Sequence, residues 1–531
     1  MKDTYIKSNL SSFTNRFFVL INGYPNGMKF NRRFSITLLL IAAIITMTSN
    51  SFAQFIQQGN KLVGNDISGT AAEGNSVTIS ADGNTVAFGG IGDNGLAGAV
   101  WVFTRSNGIW TQLGNKLTGS GSAGNSTLGN SLACSGDGST LIAGGQMDDN
   151  YVGAAWVFTN SNGVWNQQGD KLVGLGYVGK SQQGFSVALS EDGNTAIVGG
   201  PGDYANQGAA WIFTRSNGVW TQQGDKVVGS KPVGGSFEGQ TVALSADGNT
   251  AIIGGASDDN YRGAVWVFAR SNGVWTQQGN KLVVPSGIQV TLGTSVSISG
   301  DGNTIAAGGS NGEGAVWIFS KSNGIWQQQQ DSLVGAPAFG PSSQGYSVAI
   351  SSDGNSIVEG GPTENNEHGA AWIFKRSNGV WSQIGDKLVG TGAIGQSYQG
   401  NSVAISSDGN TAIIGGVHDN TYEGSAWIYT NKVTGITKEL MLTPTEFALS
   451  QNYPNPFNPT TLISYQIPSA GQVQLRIYDI LGREVATLVD KEESSGNYKV
   501  IFDGSKYSSG VYFYKLSTDG FFQSKKMLLI K

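Results

Sequence analysis

The chain has 531 residues, a formal charge of −5, 39% hydrophobic residues, 13% charged residues and 79 glycines. Glycine is about twice its usual share of roughly 7% and charge about half its usual 25%, without the every-third-residue glycine of collagen. This excludes a triple helix, and it excludes disorder, which needs little hydrophobicity and much charge. One cysteine, Cys134, excludes a disulfide framework or a cysteine-clustered metal site. Two histidines, His368 and His418, leave little for histidine-based acid–base or zinc chemistry. Abundant glycine and aromatic residues with few charges suit an all-β protein of short strands and tight turns.

The N-terminal segment reads as an export signal. Lys29, Arg32 and Arg33 precede an apolar run from Phe34 to Met47, and Ser51-Phe52-Ala53 then offers a small-x-small site. Cleavage is expected between Ala53 and Gln54, because a run of this length falls short of the 20 or so residues that span a membrane. Residues 1–53 are therefore assigned as the signal region, with Met28 the expected start of translation. The signal region holds most of the local basic excess, so the remainder is strongly acidic. An acidic body disfavours nucleic acid, whose binding is dominated by cationic contacts to phosphate.

A repeat fills residues 54–430. Asp-Gly recurs at Asp82, Asp137, Asp192, Asp247, Asp301, Asp353 and Asp408, and a tryptophan follows at Trp101, Trp156, Trp211, Trp266, Trp317, Trp372 and Trp427. A second tryptophan follows an SNG turn at Trp110, Trp165, Trp220, Trp275, Trp326 and Trp381, so all 13 tryptophans belong to the repeat. In the third copy the strands read FSVALS, TAIVGG, GAAWIFTRS and VWTQQGDKVV, joined by turns whose Asn and Gly tolerate positive φ. Four strands per unit is the β-propeller pattern, and seven copies predict seven blades. The last copy lacks a fourth strand, while Phe55 to Leu62 supplies one before the first full unit. The N-terminal strand is therefore expected to complete blade seven, leaving no open edge.

The unit FSVALSEDGNTAIVGGPGDYANQGAAWIFTRSNGVW resembles the FG-GAP repeat of integrin-α-type propellers and bacterial surface proteins. That resemblance implies a binding or adhesion scaffold, in a family where a D-x-D-x-D-G loop often holds calcium. Here Ser-x-Asp-Gly-Asn offers one carboxylate, so calcium is not carried over to that loop. The second and fourth connections of each unit should share one face, where rigid scaffolds carry function on variable loops. The second connections place an acid three residues after Gly-Gly at Asp93, Asp148, Asp203, Asp258, Glu364 and Asp419. Such a ring could hold calcium through hard oxygen ligands. An Asp capping its own turn accounts for the same residues and is favoured, because one acid per blade leaves neighbours far apart. The fourth connections carry Tyr177, Phe237, Phe339 and Tyr398, aromatics suited to a sugar or peptide and equally to covering the rim. His368 and His418 read as solvated loop residues, and Cys134 as core. Glu359 stands where siblings carry Phe88, Val198 and Ile253.

After Asn431–Thr445, read as a linker, residues 446–531 alternate as a small antiparallel β-sandwich. The segment Asn452-Tyr453-Pro454-Asn455-Pro456-Phe457-Asn458-Pro459, then YDILGREVATL, SSGVYFYKL and KKMLLIK, resembles the type A C-terminal sorting domain of the type IX secretion system. The resemblance implies a Gram-negative source, secretion machinery as a partner, passage across the outer membrane and attachment to surface lipopolysaccharide. The fold expected is thus all-β: a seven-bladed propeller followed by a small C-terminal sandwich, as a monomer. No G-x-S-x-G elbow, H-E-x-x-H or phosphate loop appears, so catalysis is set aside in favour of binding an extracellular glycan or protein. The alternatives are a polysaccharide-active enzyme using loop carboxylates and a passive structural surface protein.

Overall fold

The computed structural model describes residues 54–284, 289–329, 332–432, 447–452, 455–518 and 520–530. The expected signal, most of the linker, and Tyr453 and Pro454 lie outside the described residues.

The repeat folds as seven four-stranded antiparallel sheets. The first comprises β2 (Glu73–Ile79), β3 (Thr85–Gly90), β4 (Ala99–Ser106) and β5 (Ile109–Gln112) in that order, after β1 (Gln54–Gln57). Strands β3 and β4 are near-continuous apolar runs because neighbouring sheets cover both their faces. At the outer edge, β5 alternates exposed with half-buried residues. Asn107 and Gly108, with φ of 51° and 79°, close the β4–β5 hairpin as a turn with two positive φ values requires. In the third sheet the outer strand stops at Gln222, earlier than the pattern VWTQQGDKVV implies. The chain turns at Gly224 and returns to pair Val227 with Ala210.

β1 pairs antiparallel with Ser425–Lys432, Gln54 opposite Lys432 and Gln57 opposite Tyr429, as the fourth strand of the seventh sheet. That strand runs two residues beyond the Thr430 expected from the pattern.

The innermost strands form a closed ring, sewn by one repeated hydrogen bond. Ser76 Oγ donates to Gly129 O, and Ser131, Ser186, Thr241, Ser295 and Ser347 donate likewise to the glycine of the next blade. Ser402 Oγ closes the circle on Gly74 O at 2.8 Å. Each such bond contributes about 1 kcal/mol. Glycine is required at these seams: a Cβ on Gly199 would lie 2.1 Å from Gly239 O. The apolar core is divided between neighbouring sheets. One cluster joins Val100 and Val102 to Leu141, Trp156 and Phe158, and another joins Val77, Phe88 and Trp101 to Ile413 and Ile428.

Residues 447–530 form two facing sheets around a separate core. One holds Ala448–Leu449, Thr460–Ile467 and Gly496–Asp503. The other orders Glu484–Glu493, Gly471–Tyr478, Gly510–Thr518 and Phe521–Leu529. Glu484–Glu493 breaks the alternation because its register against Gly471–Tyr478 shifts twice, between Leu475 and Arg476 and between Ile477 and Tyr478. It is an edge strand, and its charges discourage edge pairing.

Candidate functional site

The DGN turns spend their carboxylates locally. Asp82 Oδ1 accepts from Ser80 Oγ at 2.6 Å and Asn84 N at 2.9 Å, and Oδ2 accepts from Asn84 Nδ2. Burial raises the Asp82 pKa, but these hydrogen bonds outweigh it and leave the group below its ordinary value. On the same side Arg105 bonds Asn84 and Gln58 and lies over the Trp110 ring at 5.2 Å.

The opposite side carries the second and fourth connections. Six second connections are strained left-handed turns, each with three successive residues at positive φ, such as Asn94, Gly95 and Leu96 at 48°, 67° and 73°. Left-handed backbone costs roughly 1–2 kcal/mol for most L-residues, so something must hold it. The acid ring does. Asp93, Asp148, Asp203, Asp258, Glu364 and Asp419 are almost fully buried and paired with Lys116, Lys171, Lys226, Lys281, Lys387 and Lys61. Each also accepts a backbone N–H from the preceding loop, as Asp148 does from Ala123 at 2.7 Å. The six acids are therefore interlocked with lysines that follow the outer strands, a stronger constraint than an Asp capping its own turn. They are not gathered together, and no cluster of three potential metal ligands occurs among the described residues.

A second buried set escaped the sequence reading. Gln183 accepts from Gly174 N and donates to Gly174 O, and Gln344 and Gln399 do the same with Gly335 and Gly390. In two blades the seat holds a glutamate: Glu73 accepts from Gly64 N, and Glu238 from Gly229 N. Burial pushes both pKa values up to about 8. Each carboxyl is thus neutral at pH 7 and can donate its proton as the glutamine amide does. Glu359 is fully buried opposite Trp372, and neither oxygen has a hydrogen bond of good geometry; burial raises its pKa far above the ordinary value.

The four predicted aromatics occupy different settings. Tyr177 is 40% and Phe339 61% exposed, and Lys387 lies over the Phe339 ring at 4.3 Å, so Phe339 also shelters the Lys387–Glu364 pair. Phe237 and Tyr398 are half-buried with φ of 56° and 55°. Tyr398 packs on His418 at 4.1 Å, and His418 on Tyr422 at 4.2 Å. His418 is therefore no free loop residue; burial lowers its pKa, with Glu367 opposing. His368 is exposed, its Nδ1 2.9 Å from Asn365 O. The ring entrance on this side carries amides: Asn401 donates to Asn75 O, Asn75 to Asn130 O, and Asn130 to Phe185 O. Cys134 accepts a 3.3 Å contact from Thr78 Oγ1, and burial raises its thiol to about 11.

In the C-terminal unit the proline-punctuated segment is a seam. Asn452 N donates to Tyr514 Oη and Asn452 Nδ2 to Thr461 Oγ1, while Asn455 Oδ1 accepts from Leu528 N. Phe457 is buried and its backbone brackets the last strand through Leu528 O and Ile530 N. Residues 451–531 match the family model described as the secretion system C-terminal sorting domain. The chain is exported by type IX secretion. Its destination is the cell surface or extracellular space of Bacteroidetes, and its sorting domain engages the secretion machinery.

No curated protein matches the chain. Similar solved structures include a "putative 6-phosphogluconolactonase" from Bacteroides uniformis, with 14% identity, a TM-score of 0.43, and coverage of 65% of this chain and 94% of that one. A second so described, from Bacteroides fragilis, has 14% identity, a TM-score of 0.42, and coverage of 82% and 100%. A "putative TolB" from Agrobacterium tumefaciens has 13% identity, a TM-score of 0.32, and coverage of 61% and 95%. Two of these structures bear an enzyme's name, so the exclusion of catalysis made from motif absence is withdrawn. At this level of likeness no activity is carried over either; the propeller rests on its own seven sheets.

Proposed function

We propose that the propeller is a binding or adhesion module of the FG-GAP kind, presented outside the cell after export. The observation carrying this reading is the set of strained turns: six copies of one costly backbone, each locked by a buried lysine–carboxylate pair, holding out side chains that differ between blades. Their third positions are Leu96, Tyr151, Asn206, Tyr261, Glu367 and Tyr422. Strain that the surrounding structure over-determines is commonly kept where a surface must be pre-organised. The scaffold is constant and the displayed groups vary, as a recognition face requires. The ligand is an extracellular glycan or protein, with lipopolysaccharide attachment holding the module at the surface.

The test is an array of glycans and matrix proteins probed with the exported protein, with calcium and again with chelator. A saturable hit indifferent to chelator is expected, since the acid ring is already neutralised by lysine. Loss of the hit in chelator would reject the lysine-clamped account of the acids, and silence on every spot would reject the binding reading.

A further inference from the structure

The junction between the sixth and seventh blades differs from its siblings. The position of Tyr398 is held elsewhere by Ala72, Thr127, Gln182, Phe237, Thr291 and Ser343, every one at positive φ. The backbone therefore demands no ring there, and left-handed geometry disfavours a bulky one. The position of His418 is held by Gly92, Gly202, Ser257 and Thr363 in four other blades. Among the described residues of the second and fourth connections, three rings meet only here: Tyr398, His418 and Tyr422, with interplanar angles of 57° and 51°. Tyr422 closes the ledge, 54% exposed, with His418 as its one ring contact.

The rim is polar. The Tyr398 backbone N–H donates to Glu367 O at 3.0 Å, and burial together with the Glu367 carboxylate pushes the Tyr398 hydroxyl up to about 12. Asn420 Nδ2 donates to Glu423, and Gln396 Nε2 to Asn366 O. Tyr398 and Tyr422 each contact His418, and no contact joins the two tyrosine rings, so the three rings form a row and a ledge rather than a cage around a cavity. An ammonium ion gains most from rings that surround it in a desolvated pocket. A flat ligand with apolar C–H bonds on one face and hydroxyls round its edge fits a ledge with a carboxylate and amide rim.

The geometry points to a pyranose-binding site at the junction of blades six and seven, with the exposed Tyr422 ring, backed by His418 and Tyr398, stacking on the sugar and the Glu367–Asn420–Glu423 rim meeting its hydroxyls. This rests on the binding reading above and names its ligand class. Small ligands on an open ledge bind weakly, so recognition is expected to grow with glycan length as further loops engage.

Saturation-transfer NMR on the exported protein tests it, with methyl β-glucopyranoside, methyl β-galactopyranoside, methyl α-mannopyranoside and choline as probes. The variants are Tyr398→Ala/Tyr422→Ala, Tyr422→Leu (the residue type of Leu96 at the equivalent turn) and, away from this face, Ile109→Ala on the exposed outer strand, with thermal melts confirming folding. Saturation of ring protons of at least one glycoside is expected for the unmodified protein and for I109A, falling at least tenfold in the double variant and in Y422L. Unchanged saturation in those two variants overturns the site and leaves the binding reading standing. Saturation of choline but no glycoside overturns the ligand class. If no glycoside is saturated while the array scores a protein, the inference falls and the reading survives; if both are silent, both fall.

Discussion

Replacing Glu73 and Glu238 by glutamine should make the propeller more stable, and increasingly so as pH rises. Both sit in a seat that three sibling blades fill with an amide, and burial raises each carboxyl from its ordinary 4.5 to about 8. Between those values the folded protein binds more protons than the unfolded chain, so stability falls with rising pH. Their contribution is full below pH 4.5, declines through the window and levels off above 8. At 1.36 kcal/mol per unit the loss is on the order of 5 kcal/mol per site at high pH, of which about 3 kcal/mol has accrued by pH 7. A glutamine in the seat accepts from the glycine N–H and donates to the glycine O without taking up a proton, as Gln183, Gln344 and Gln399 do. Urea unfolding followed by tryptophan fluorescence at pH 4, 7 and 9 should show E73Q and E238Q close to the parent at pH 4 and clearly above it at pH 9. Lying in blades one and four, their effects should add. Variants that differ from the parent by the same amount at every pH, or that lose stability at pH 9, would refute the neutral-carboxyl seat.

Glu359→Ile should stabilise by about 1–3 kcal/mol, since Ile253 and Ile414 fill the same position and an unpartnered buried polar group is removed; a thermal melt above pH 7 checks it. Lys171→Met should destabilise by about 3–5 kcal/mol by stranding the Asp148 carboxylate, whereas Lys171→Met with Asp148→Leu should recover part of that loss in the same melt.

Periodic features were legible in the sequence because they repeat: the turns, the tryptophans, four strands per unit and the need for an outer strand in blade seven. The acids misled because a short-range explanation, an Asp capping its own turn, was sufficient by itself. In five blades the partner lies 23 residues away, past the outer strand, as Lys116 does from Asp93, and Asp419 pairs with Lys61, 358 residues away. A signal was present: blade five, whose shorter second connection lacks the acid, carries Ser332 where the other blades have lysine. The amide seat was hidden because Leu128 and Leu292 replace the polar residue in two blades and interrupt the pattern. The ring cluster was out of reach because Tyr398 and His418 lie 20 positions apart and meet only through left-handed backbone.

The central claim is that recognition belongs to the face of the strained turns. Hydrogen–deuterium exchange of the exported protein, with and without the strongest array partner, tests it most directly. The account predicts slowed exchange confined to the second and fourth connections, foremost residues 391–398 and 417–423. Protection centred on the DGN and SNG turns, or on the exposed outer strands at Ile109, Val164 and Val219, would contradict it.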